Sequence, residues 1–210
     1  MHKDIEMKLN LNWQWDKYSL LLLIMILVVP LIQSLQINPA WINYVEDSQT
    51  LFLLFCFLFT LICTLTSKMQ GSKYVFWLWA SLWWLVLLGR DQNWGRQTIP
   101  GFPLVIYHTI GWVLISSLIV MLFCSRLRTG IKECFQQPFP VWNFILATIS
   151  FLLADAVERG RWIAHFVLYQ ANYDELVEEL YEVPFMLALF SVSVILQLRD
   201  IKQARNKNKI

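Results

Sequence analysis

The sequence predicts an all-α fold: a six-helix transmembrane bundle forming one integral membrane domain over residues 1–210, with both termini cytoplasmic and a short amphipathic outer helix between helices 5 and 6. Three observations predict it. Charged residues make up only 15% of the chain against 57% hydrophobic residues, whereas a soluble domain carries about 25% charged residues. The apolar residues fall in runs of about 17 to 20, the length that crosses a hydrocarbon core of about 30 Å at about 1.5 Å per residue. Lys and Arg, finally, collect mostly on one side of a chain that crosses back and forth.

The runs lie at about residues 19–35, 50–66, 73–89, 103–124, 139–157 and 183–198. The first holds Pro30 and leads to Asn38-Pro39; no small-x-small cleavage site comes after it, so a retained helix is expected rather than a removed signal. The second carries Cys56 and Cys63 on one helical face, where small apolar packing residues are the plainer reading. Gln70-Gly71-Ser72 separates it from the third, in which Trp77, Trp79, Trp83 and Trp84 crowd together as packing and anchoring groups. The stretch from Gly95 to Pro103 opens the fourth, Gln136-Gln137-Pro138 the fifth, and Arg159-Gly160-Arg161 closes the fifth. A run such as Leu20-Leu21-Leu22-Leu23-Ile24 does not alternate apolar with polar, as a barrel strand would, so the spans are read as helices.

Orientation comes from the cations. With the N-terminus inside, the inner segments hold Lys3, Lys8, Lys17, Lys68, Lys73, Arg126, Arg128, Lys132 and the tail from Arg199 to Lys209; the outer segments hold only Arg90, Arg96, Arg159 and Arg161. None of the cysteines falls in an outer loop, so no disulfide framework is expected. Trp13, Trp15 and Trp142 fall at inner boundaries and Trp41, Trp94 and Trp162 at outer ones, as an interfacial belt requires.

Acids concentrate on the predicted outer side: Glu46, Asp47, Asp91, Asp155, Glu158, Asp174, Glu175, Glu178, Glu179 and Glu182. Inside the estimated hydrocarbon region only His108 and Asp155 are ionisable, both in the outer half. An intramembrane carboxylate faces a bundle interior or a watery cavity and marks function by default. Asp155 and Glu158 share a helix face, as do Glu178 and Glu182, and Asp91 closes helix 3. The candidate polar site is therefore His108, Asp155, Glu158, Asp91, Glu178 and Glu182, with His108, Asp155 and Glu158 as the trial ligand set for a divalent metal and His165 as a further candidate. Each residue also has a structural reading: Asp155 with Arg159 at i,i+4, Asp91 with Arg90 or Arg96, and Glu175–Glu182 as a solvated helix face. Between helices 5 and 6, Trp162, Ile163, Phe166 and Val167 keep helical spacing, and Asp174 suits a helix N-cap ahead of the sixth span.

Two stretches share Asp, Trp and Gly-Arg at an outer helix end: Gly89–Arg96 and Asp155–Trp162. The Arg-Asp-x-x-Trp-Gly-Arg stretch Arg90–Arg96 resembles one found in uncharacterised bacterial multi-pass inner-membrane proteins, where the position of Asp91 tends to be Glu. The likeness covers one turn and loop. It implies a bacterial inner-membrane setting and brings no activity with it.

Patterns of known membrane enzymes are absent: there is no Gly-x-Ser-Gly, no His-Glu-x-x-His, no Cys-x-x-Cys and no Walker or Gly-x-Gly-x-x-Gly loop. The basic tail is an anchor to anionic lipid rather than a nucleic-acid surface. Three functions stay open: an accessory membrane subunit that engages a membrane protein partner, a metal-dependent hydrolase or transferase acting on lipid-linked substrates, and a binder or carrier of cations. The first is the leading expectation.

Overall fold

The computed structural model describes residues 11–33, 41–95, 101, 103–167 and 173–207. The Asn38-Pro39 turn, Arg96, the lysines Lys3, Lys8 and Lys209, and the acids Asp4 and Glu6 lie outside these. Eight α-helices succeed one another: α1 (Lys17–Ile32), α2 (Trp41–Thr66), α3 (Ser72–Asp91), α4 (Leu104–Met121), α5 (Ser125–Phe135), α6 (Val141–Glu158), α7 (Ala164–Val167) and α8 (Asp174–Lys207). A short pairing joins β1 (Leu11–Asn12) to β2 (Phe139–Pro140).

Four of these helices, α2, α4, α6 and α8, are long and apolar enough to cross a membrane. Their surfaces agree with that use. Only 17% of the apolar stretch of α4 and 28% of that of α2 is buried within the protein. Val105, Trp112 and Val120 on α4, and Leu51, Leu58 and Leu65 on α2, stand exposed. Contiguous apolar faces of this extent are not left to water. Helix α1, with 16 residues, is apolar but short. Helix α3 has 20 residues, about 30 Å at the helical rise, but its four tryptophans, Tyr74 and terminal charges dilute its apolar character.

Boundaries shift from the sequence expectation where polar residues prolong a helix. Helix α2 begins at Trp41 and α8 runs from Asp174 to Lys207, so both carry polar extensions beyond their apolar centres. The segment between the fourth and fifth apolar runs, expected as a loop, is helix α5. It is amphipathic: Leu127 and Cys134 are buried, while Arg126, Arg128 and Lys132 point away from them. Helix α7 is a four-residue turn of helix.

The chain gathers into two compact units. One is built on Thr50–Phe139 with the chain from Ser193 onward; the other combines Asn12–Gln49 with Pro140–Val192. In the second unit α1 packs on α6, and Leu22, Ile26, Val29, Leu146, Ala154, Val177 and Tyr181 share one core. Polar bonds tie this core across helices. Asp16 caps α1 by accepting from the Ser19 N–H at 2.7 Å. The Ser19 hydroxyl donates to Asn143 Oδ1 at 2.5 Å, and Asn143 Nδ2 donates to Ser191 Oγ at 2.9 Å, which joins α1, α6 and α8. Ser150 Oγ on α6 donates to the Tyr181 carbonyl at 2.6 Å, in the turn of α8 where Pro184 supplies no N–H. In apolar surroundings such bonds hold helices together at about 1 kcal/mol each.

In the first unit α3 is the hub, packed against both α4 and α5. Trp77 and Trp84 are almost wholly buried. At one end of α3 the buried Asp200 carboxylate accepts from Lys73 Nζ, from Trp77 Nε1 at 2.9 Å and from Gln137 Nε2 at 2.6 Å. Gln197 Nε2 on α8 donates to the Thr60 carbonyl at 3.0 Å and to Thr64 Oγ1 at 3.1 Å on α2.

Candidate functional site

The expected site rests on Asp155, in the last turn of α6. Its carboxylate is 16% exposed and is held by two guanidinium groups: Arg159 Nε lies 2.9 Å from Oδ1, and an Arg161 NH2 group lies 2.9 Å from Oδ2. The backbone explains how both arginines reach it. Gly160 takes φ 57°, a left-handed conformation that glycine adopts without a steric penalty. The Gly160 N–H then bonds to the Val157 carbonyl at 3.1 Å, and the Arg161 N–H to the Ala156 carbonyl at 2.8 Å. This pair of bonds is a Schellman close of the helix. It turns the chain back so that Arg161 returns to the carboxylate that Arg159 already meets along the helix.

Asp91 ends α3 in different company. It accepts from Thr50 Oγ1 on α2 and from Gln92 Nε2 at 3.1 Å, while Gln92 Nε2 also donates to Thr50 Oγ1 at 2.6 Å. Beyond it the chain reverses through Asn93 (φ 46°) and Trp94 (φ 60°). The reversal lays the indole of Trp94 into a slot between two glycines. A Cβ at Gly89 would lie 2.8 Å from that ring, and a Cβ at Gly111 2.7 Å. Any larger residue on α3 or α4 at these points would evict it.

The remaining candidates sit on α4, α6, α7 and α8. His108, on the first turns of α4, is exposed, as are Glu158 at the end of α6 and His165 on α7. Glu178 and Glu182 are half-buried on the first turns of α8. His108 belongs to the first unit, and Asp155, Glu158, Glu178 and Glu182 to the second. Among the described residues, no group of three or more His, Cys, Asp or Glu side chains is gathered as a metal site requires. The structure thus brings Asp155 together with arginines, and Asp91 with Thr50 and Gln92.

Between α6 and α8, where the sequence predicts a short amphipathic helix, the described residues hold the four-residue helix α7. Trp162 and Phe166 are 70% and 69% exposed, their rings edge to face at 6.0 Å, while Ala164 between them in sequence is buried. Gln33 Nε2 at the end of α1 donates to the Val167 carbonyl at 2.6 Å and pins the far end of this turn.

Two features of the polar network lie outside the residues expected from the sequence. Asp200 sits in the basic tail among ordinary charges, and nothing in its spacing distinguishes it as a buried acceptor of three donors. Asn143 lies in an apolar run; a single amide there is the available signal for an interhelical bond.

Thiol chemistry divides the two cysteines that lie beyond the end of α4, Cys124 and Cys134. Burial pushes the Cys134 thiol up to about 12, aided by the nearby Asp200 charge. Cys124 is fully exposed, and its thiol is held below its ordinary value by the Leu127 and Arg126 backbone N–H groups at the start of α5, with the Arg126 and Arg128 charges adding to the effect. No protein-family model, curated protein or solved structure matches the chain.

Proposed function

We propose that the chain is a six-span accessory subunit of a bacterial inner membrane, with both termini inside, and that it engages a membrane protein partner through the turn between α6 and α8. The observation that carries this reading is the pair Trp162 and Phe166, exposed side by side on a turn that is pinned at both ends: by the Asp155–arginine pairs before it and by Gln33 after it. A preorganised aromatic pair on a turn suits protein docking, where aromatic anchors dominate binding energy. Asp155 is already matched by two cations, which argues against its use as a counter-charge for a solute or as a metal ligand. Elemental analysis of the purified protein tests the metal alternative directly: stoichiometric metal lost in both His108→Ala and Asp155→Asn would replace the accessory reading with an enzymatic one.

A photo-crosslinking residue at Trp162 or Phe166, in cells, tests the docking surface. One discrete protein adduct, lost when the other aromatic is changed to Asp, is the expected result. Adducts to lipid alone would make the pair an interfacial anchor and end the proposal.

Orientation has its own test. A membrane-impermeant thiol reagent near pH 8 should label Cys124 in inverted vesicles and leave it unlabelled in intact spheroplasts. Cys134 should stay unmodified in both, because a thiol with its pKa pushed up to about 12 is almost wholly protonated at that pH and the thiolate is the reacting form. Labelling of Cys124 from the outside would invert the topology.

A further inference from the structure

A groove of about 830 Å³ lies in the first unit, between the end of α2 and the last turns of α8. Its rim carries Lys68, Arg199, Lys202 and Arg205, and among the described residues no carboxylate lines it. Its wall is apolar, formed by Ile195, Leu198 and Ile201. The cations are not interchangeable with others nearby. Lys73 is committed to the buried Asp200, and Arg126, Arg128 and Lys132 belong to α5, outside the groove. Arg199 is preset, since its guanidinium donates to the Pro138 carbonyl. The hydroxyls at the mouth are already engaged: Thr66 donates to the Ile62 carbonyl at 2.7 Å and Ser67 to the Thr64 carbonyl at 2.9 Å. The carbonyl end of α2 opposes an anion, so any attraction has to come from the four side-chain cations.

A basic rim above an apolar wall, at the boundary of a membrane-spanning helix pair, matches one class of ligand. We propose that this groove holds the phosphate of an anionic phospholipid, with an acyl chain lying along Ile195 and Leu198. The chemistry of the rim alone would also accept free phosphate; the apolar wall is what favours the lipid. This inference is independent of the docking turn and stands or falls separately from it.

The test uses the full-length protein in detergent, with lipid retention measured by native mass spectrometry against phosphatidylglycerol, phosphatidylcholine and inorganic phosphate. Wild type should retain phosphatidylglycerol at least about tenfold better than phosphatidylcholine, given roughly fivefold per cation near an anionic headgroup. The variant K68Q/K202Q/R205Q should lose that preference, whereas R126Q/R128Q/K132Q, which removes the same charge from α5, should keep it. If the triple groove variant does not fold, Lys202→Gln alone should lower the preference about fivefold on the same basis. Equal retention of the two lipids by wild type, or equal losses in the groove and α5 variants, would overturn the proposal. Displacement of phosphatidylglycerol by an equal concentration of inorganic phosphate would overturn the lipid assignment and leave an anion groove.

Discussion

Gly89–Arg96 and Asp155–Trp162 are built from nearly the same residues, each with an aspartate, a tryptophan and a Gly-Arg step in sequence, yet the described parts, Gly89–Gly95 and Asp155–Trp162, fold to opposite purposes. In the first, the left-handed positions fall on Asn93 and Trp94, so the tryptophan swings inward and is received by Gly89 and Gly111. Its aspartate binds neutral partners, Thr50 and Gln92. In the second, the left-handed position falls on Gly160, before the tryptophan. The turn is then spent on returning Arg161 to Asp155, and Trp162 is left facing out. What separates a packing latch from an exposed aromatic is which residue takes the positive φ, and composition does not record that.

The comparison can be broken in order of expected effect. Trp94→Ala empties the slot between α3 and α4 and should cost about 3 kcal/mol, the lower end of the range for losing a packed aromatic. Trp162→Ala should change unfolding in detergent by no more than about 0.5 kcal/mol. Equal losses at the two tryptophans would abolish the distinction.

Gly111→Val forces a side chain into the Trp94 ring and should cost about 2 kcal/mol. The penalty should largely vanish in a Trp94→Ala background, because two residues that share one space are not additive. Full additivity in the double variant would mean that the ring does not occupy the slot.

The smallest effects lie at the acids. Asp91→Ala should cost about 1 kcal/mol, the loss of bonds from Thr50 and Gln92 to a charged acceptor in a half-buried place. Asp155→Ala should cost less than that, since Arg159 and Arg161 are 63% and 48% exposed and solvent screens such pairs. Added salt should erase the Asp155 contribution and leave that of Asp91 nearly unchanged. Unfolding midpoints at low and high salt decide this; a salt-insensitive Asp155 would show a pair better shielded than its exposure indicates.

Much of the helical pattern is legible in the sequence because apolar runs and helix length are local properties. The apolar centres of α2, α4, α6 and α8 lie where length and hydropathy place them. Helix α5 escapes that reading because it is short and mostly polar; its one buried face, Leu127 and Cys134, lies within a segment dominated by Arg and Lys. The polar extension of α8 exceeds its apolar run because Glu-rich and Lys-rich ends satisfy helix propensity without adding hydropathy. At the site, the i,i+4 pairing of Asp155 with Arg159 is set by spacing alone. The second arginine is not, because it depends on a glycine closing the helix. The Asp200 cluster is illegible for a similar reason: Lys73, Trp77 and Gln137 meet it only through tertiary packing, and no periodicity links positions so distant in sequence.

That distance has a consequence for how the protein is made. The Trp94 latch joins Gly89 and Gly111, positions close in sequence, so α3 and α4 bring both walls of its slot soon after α4 leaves the ribosome. The opposite end of α3 does not. Lys73 and Trp77 emerge early, but their acceptor, Asp200, is translated 123 residues after Trp77. Throughout that interval an ammonium and an indole N–H that end up on a buried carboxylate have no such partner. A nascent chain that stalls or terminates before Asp200 therefore carries an unfinished helix junction.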